Sequence, residues 1–145
     1  MSQDAAGRVG EVGPREAQAI LEREPDAVLV DVRSKVEYDY VGHPPAAINI
    51  PWKDAPDWRV DPDFAAKVRD GIKTLAGGDP PPESRTVLTL CRSGGRSRSA
   101  AEELQRQGFR KVINVAEGFE GDRDQHHHRG TLNGWRFHGL PWEQT

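Results

Sequence analysis

Short apolar runs alternate along the chain with stretches of helical periodicity. Ala27-Val28-Leu29-Val30-Asp31-Val32 and Thr86-Val87-Leu88-Thr89-Leu90 are strand-length runs with little polar alternation, the pattern of strands covered on both faces in a parallel sheet. Ala47-Ile48-Asn49-Ile50, stopped by Pro51, and Val112-Ile113-Asn114-Val115 read as two further strands. Between them lie helical stretches. Residues 14–24 place Ala17, Ile20 and Leu21 on one face behind Pro14, which suits a first turn. Residues 34–40 form a short helix with Ser34 and Glu37 spaced as a capping box. Over 63–75, Phe64, Val68 and Leu75 are expected to share a buried stripe. Over 98–107, Ala100, Ala101 and Leu104 share a face that ends at Gly108, with Phe109 able to fold back onto the last turn.

Strands alternating with helices predict an α/β fold: a mainly parallel central sheet flanked by helices on both faces. Residues 1–13, with three glycines and few apolar side chains, read as a flexible N-terminal lead-in, and 14–145 as one domain. Gly42-His43-Pro44-Pro45 and 77–82 are turns by composition, and 52–60 is an irregular loop carrying two tryptophans. The segment 117–145, rich in Gly, His and Trp, has no clear periodicity.

A chain of 145 residues is the size of one domain, and a hydrophobic fraction of 35% beside 30% charged residues suits a soluble protein with a modest core. A net charge of −3 gives no global pull toward nucleic acid or anionic membranes, so neither is expected as a partner. The N-terminus lacks the apolar core of a signal peptide, and no run reaches the roughly 20 apolar residues of a membrane span. The single cysteine can form neither an internal disulfide nor a multi-thiolate metal site. A free thiol in a reducing, cytoplasmic setting is the expectation.

That thiol, Cys91, follows the strongest strand immediately and opens Cys91-Arg92-Ser93-Gly94-Gly95-Arg96-Ser97. Chemistry in open α/β sheets collects at the carboxyl ends of strands, beside helix N-termini. Gly94 and Gly95 let the backbone curl so that successive N–H groups face inward as an anion nest, and the next helix adds its positive end. Arg92, Arg96 and Arg98 contribute further positive charge. Such surroundings favour the thiolate, the nucleophilic form, and would equally hold a persulfide, which is anionic. A lone cysteine after a strand is often just a small buried hydrophobe. A loop of glycine, serine and arginine is a poor setting for one.

This loop resembles the active-site loop of the rhodanese family almost residue for residue. Leu29-Val30-Asp31-Val32-Arg33, Glu37-Tyr38, Gly42-His43 and Ala47-Ile48-Asn49-Ile50-Pro51 resemble the family's first signature region. Val115-Ala116-Glu117-Gly118-Phe119 and Gly139-Leu140-Pro141 are similar to its closing segments, so the likeness spans roughly 14–142 with motifs in fixed order. The resemblance implies a small α/β sulfurtransferase of the thiosulfate type. Cys91 would take a sulfane sulfur from thiosulfate or a persulfide and pass it to cyanide, a thiol or a thiol-bearing protein. It implies Cys91 as nucleophile and Arg92, Ser93, Gly94, Gly95, Arg96 and Ser97 as the cradle. Asp31, Arg33 and Glu37 would brace the loop, and neither metal nor organic cofactor is required. Pro44-Pro45-Ala46-Ala47 departs from the family's usual turn at that place.

Two other readings use the same elements. A cysteine phosphatase or arsenate reductase also sets a thiolate at a strand–loop–helix junction, but with five residues between cysteine and arginine. Here four separate Cys91 from Arg96, and no aspartate is placed to protonate a leaving oxygen. A non-catalytic binding or regulatory module on this fold commonly lacks the cysteine, which this chain keeps. His126-His127-His128 invites a metal, but adjacent side chains diverge and the neighbours are charged, so a solvated loop is expected. His43 is read as structural, the tryptophans at 52, 58, 135 and 142 as core or pocket walls, and Arg106, Arg110 and Lys111 as helix-end cations.

Overall fold

The computed structural model describes residues 9–145. Five strands, β1 (Gly10–Val12), β2 (Val28–Asp31), β3 (Ala47–Asn49), β4 (Thr86–Leu90) and β5 (Lys111–Val115), form one sheet in the order β1-β5-β4-β2-β3. Every pairing is parallel. β2 and β4 lie inside the sheet and are buried throughout, which is why their sequences run apolar without alternation.

Among the described residues three α-helices cover the sheet: α1 (Pro14–Arg23), α2 (Phe64–Ala76) and α3 (Gly95–Arg106). Strand order runs one way from β1 to β3 and back from β4 to β5. Right-handed crossovers then put α1 on one face and α2 and α3 on the other. Alternate side chains of each strand feed two cores. Val28, Val30, Val87 and Val112 pack under α2 and α3 with Phe64, Val68, Ile72, Ala101 and Leu104. Leu29, Leu88, Leu90, Ile113 and Val115 pack with Ala17 and Ile20 of α1 and with Phe119 and Trp135 from the final segment. Among the described residues no helix is long and apolar enough to cross a membrane.

Several expectations need correcting. The lead-in does not extend to residue 13: Gly10–Val12 is an edge strand in register with Ile113, Asn114 and Val115, while residues 1–8 lie outside the described residues. Three residues of strand in a glycine-rich segment carry too little pattern to read; pairing with β5 makes the strand. Leu75 is exposed, and Ile72 completes the buried stripe with Phe64 and Val68, because i, i+4, i+8 is the row that faces the sheet. α3 begins at Gly95, three residues earlier than the periodicity suggested, because Gly94 takes a left-handed conformation (φ 114°) that turns the chain directly into the helix. At the other end Gly108 (φ 103°) and the buried Phe109 close α3 as read, with the Phe109 N–H on the Leu104 carbonyl.

Candidate active site

Cys91 leaves the carboxyl end of β4 in the middle of the sheet, and the chain enters α3 four residues later. The Gly94 N–H points back to Cys91 Sγ at 3.1 Å. The sulfur thus has a backbone donor and the positive end of a three-turn helix on the same side. Cys91 is only 1% exposed, with Val32 and Trp52 in its core cluster, so the bland reading of a buried thiol describes its packing but not its loop-side contact.

The loop is held from beneath. Phe119 N–H donates to the Cys91 carbonyl (2.8 Å), and the N–H groups of Glu120 and Gly121 converge on the Arg92 carbonyl (3.0 and 3.2 Å). This requires Gly118 at the crossing. It sits at φ 70°, and a Cβ there would lie 2.4 Å from the Arg92 carbonyl carbon and oxygen. Gly118→Ala is therefore expected to destabilise by about 2–4 kcal/mol, read as a lower urea midpoint, and to displace the loop. Gly95→Ala, where a Cβ meets nothing within 4 Å, should stay within about 1 kcal/mol of the parent.

The residues read as the cradle divide into different duties. Arg92 is exposed, and Gly95, Arg96 and Ser97 belong to the first turn of α3 rather than to a free loop. Ser97 is fully buried and does not face the cleft; its Oγ lies within reach of Asn114 Oδ1 and, at 3.2 Å, of the Gly94 carbonyl. Asn114 Nδ2 donates to that same carbonyl (3.3 Å), and Thr89 Oγ1 donates to the Ser97 carbonyl (3.0 Å). Arg98 turns away from the sulfur to Glu11 of β1 (2.6 Å), so its charge is spent at the sheet edge. Asn114 was not singled out from the sequence. A lone carboxamide inside an apolar strand was its signal.

Arg96 forms a two-pronged pair with Glu37, Nη1 to Oε1 at 2.8 Å and Nη2 to Oε2 at 2.9 Å. Glu37 is also half of the expected capping box: Ser34 N–H and Oγ donate to its carboxylate, and its own N–H donates to Ser34 Oγ. The turn that carries it ends as a π-helical segment, Glu37–Val41. Burial by itself raises the Glu37 carboxyl, but the Arg96 fork and charge, with the Ser34 bonds, outweigh it and hold the group at about 2. Arg96 is pushed above its ordinary value by the same pair. Because the folded carboxyl sits lower than the unfolded one, this contribution is complete above about pH 4.5 and is lost as pH falls toward about 2. Glu37→Gln should flatten the melting-temperature profile between these limits and lower stability at neutral pH by about 3 kcal/mol at most.

Asp31 and Arg33 are both fully buried. Arg33 Nη2 donates to Asp31 Oδ2 and to the Gly42 carbonyl, each at 2.6 Å, and Nε adds a bond of 2.9 Å to Asp31 Oδ1. The guanidinium lies 4.5 Å over the Phe119 ring. Arg33 thus reaches the cysteine loop through Phe119, the residue whose N–H holds the Cys91 carbonyl. His43 is buried against Tyr38 and bonded to the Tyr38 carbonyl and Glu143, and takes no part in the sulfur's surroundings. His126, His127 and His128 are exposed, and no metal-holding cluster occurs among the described residues. Trp52 and Trp135 are core residues. Trp58 is not: with Ala55 it walls a cleft of about 510 Å³ whose other lining residues are Ser34, Val36, Glu37, Arg92 and Arg96.

A parallel five-stranded sheet with a cysteine on a tight strand-to-helix loop, locked by a closing segment, defines a class of protein. Residues 13–125 match the sequence model of the rhodanese-like domain, and the chain belongs to the rhodanese-like family. Rv0390 from M. tuberculosis, known from its crystal structure, is 38% identical; the match covers 94% of this chain and 98% of that one, with a TM-score of 0.81. The thiosulfate:glutathione sulfurtransferase of Saccharomyces cerevisiae is 30% identical over 119 residues, 80% of this chain and 69% of the yeast protein. An uncharacterized protein of Rickettsia conorii is 30% identical over 123 residues, 81% of this chain and 84% of its own length.

Proposed function

We propose that the protein is a sulfurtransferase that carries a sulfane sulfur as a persulfide on Cys91. The observation that carries this reading is the Gly94 N–H on Cys91 Sγ at 3.1 Å, at the junction of β4 and α3. A donor so placed stabilises negative charge at sulfur, both on the attacking thiolate and on the thiolate that returns when the outer sulfur leaves. The yeast relative, named for sulfur transfer from thiosulfate to glutathione, points the same way.

The reaction runs in two displacements. Cys91 thiolate attacks the outer sulfur of thiosulfate; the new S–S bond forms as the old one breaks, and its electron pair leaves with sulfite. A persulfide donor reacts likewise and releases its thiol. Cyanide or a thiolate then attacks the terminal sulfur, and the electron pair of the Cys91 S–S bond returns to Cys91. No external oxidant or reductant enters, and a thiol kept free in this way suits a reducing compartment such as the cytoplasm. Arg92, Ser93, Gly94 and Gly95 surround the added sulfur, Arg96 is held by Glu37, and Asp31 and Arg33 brace the floor through Phe119. Commitment of the Arg96 fork to Glu37 disfavours phosphoryl chemistry, which would have to break that pair to use the arginine.

The test is intact-protein mass spectrometry after incubation with thiosulfate. A gain of one sulfur atom, removed by cyanide with formation of thiocyanate, is expected. No gain with thiosulfate or an organic persulfide would overturn the proposal.

A further inference from the structure

The cleft beside the loop is larger than the chemistry at Cys91 demands. A volume of about 510 Å³ falls within the range of small-molecule sites, whereas cyanide and thiosulfate need only a small part of it. Its surfaces are of two kinds. Val36, Ala55 and Trp58 supply carbon, and Val36 and Trp58 remain 57% and 51% exposed. The charged side chains are Glu37, Arg92 and Arg96, and two of these cancel: Glu37 and Arg96 are paired through both oxygens. Arg92 has no side-chain hydrogen bond or acidic partner among the described residues, so it is the cleft's free cation.

Trp58 stands out by its backbone. It adopts φ 56°, a left-handed conformation uncommon for a bulky residue, and is held there by its N–H on the Asp54 carbonyl (2.9 Å). Neither burial nor core packing accounts for a half-exposed indole at a strained position. Strain of this sort persists where it places a side chain for use. Here it stands the ring at the cleft wall.

We infer that Trp58 and Arg92 form the acceptor subsite, selecting a small organic thiol that bears a carboxylate. The inference rests on the sulfurtransferase reading. The carbon body of the thiol lies against the Trp58 ring and its carboxylate pairs with the Arg92 guanidinium, which directs the thiolate toward the persulfide. Transfer forms the acceptor S–S bond, breaks that of Cys91, and returns the electron pair to Cys91. Cys91 is nearly inaccessible, and Arg92 of its own loop lines the cleft, so a slender thiol seated there fits better than a protein surface.

Steady-state transfer from saturating thiosulfate tests this with three acceptors: cyanide, 3-mercaptopropionate, and the neutral 2-mercaptoethanol, rates being taken per thiolate. In the parent protein, kcat/KM for 3-mercaptopropionate is expected to exceed that for 2-mercaptoethanol about tenfold, and Arg92→Gln should erase the difference. Trp58→Ala should lower the ratio of 3-mercaptopropionate to cyanide kcat/KM about tenfold, and Trp58→Phe should restore most of it. No preference between the two thiols in the parent protein, or a ratio unmoved by Trp58→Ala, overturns the subsite. Failure of the parent to form thiocyanate overturns the sulfurtransferase reading itself.

Discussion

A Cys91→Ser protein is expected to lose sulfur loading and transfer while keeping its fold. Serine fits the same volume, and the hydroxyl oxygen can accept the Gly94 N–H that now meets Sγ. The stability cost should stay below about 2 kcal/mol, because the hydroxyl keeps a hydrogen-bond partner in a site only 1% exposed. The chemical cost is of another order. An alcohol is neither ionised near neutrality nor able to form a persulfide, so thiocyanate production should fall on the order of 10⁴-fold or to background. Intact mass after thiosulfate treatment and circular dichroism of the same sample check both halves. A retained mass gain would place the persulfide elsewhere and sink the assignment of Cys91.

Arg33→Ala should be the most damaging change away from the sulfur. It removes the partner of a carboxylate that is completely buried, and it strips the donor from the Gly42 carbonyl. Breaking a buried pair from one side costs about 3–5 kcal/mol, since the remaining charge is uncompensated. For a chain of this size that corresponds to a melting temperature lower by on the order of 10 °C. The double replacement Asp31→Leu with Arg33→Met should recover much of the loss, because the desolvated charge goes with its partner. If the single and double variants are equally unstable, the pair's charge is not the cause. In that event packing against Phe119 is what Arg33 supplies.

These two residues illustrate different degrees of legibility. Cys91 could be read because its signal is local: an apolar strand, then glycine, serine and arginine, then helical periodicity. The Ser34–Glu37 capping box could be read for the same reason, its bonds closing within four residues. Leu75 misled because three or four residues per turn fit almost equally over a short stretch; only the sheet decides which row is buried. Arg98 is near Cys91 in sequence but not in space: its side chain points to Glu11 of β1, a relation that local spacing does not encode.

Among the described residues, local patterning along the chain carries the α/β class, four of the five strands, the three α-helices and the cysteine loop. Each strand, each helix and the loop rests on periodicity or turn chemistry spanning fewer than about fifteen residues, the range over which propensity and patterning act, and the class follows from their alternation. Tertiary structure alone decided the rest. It recruited Gly10–Val12 as an edge strand and threaded Gly118 beneath Arg92. It set Asn114 under the Gly94 carbonyl, joined Glu37 to Arg96, and stood Trp58 at the cleft wall. Those relations link residues from about 20 to more than 100 positions apart. Nothing in a local pattern encodes them; they exist only once the two faces of the sheet are covered and the chain's loops meet at the carboxyl end of β4.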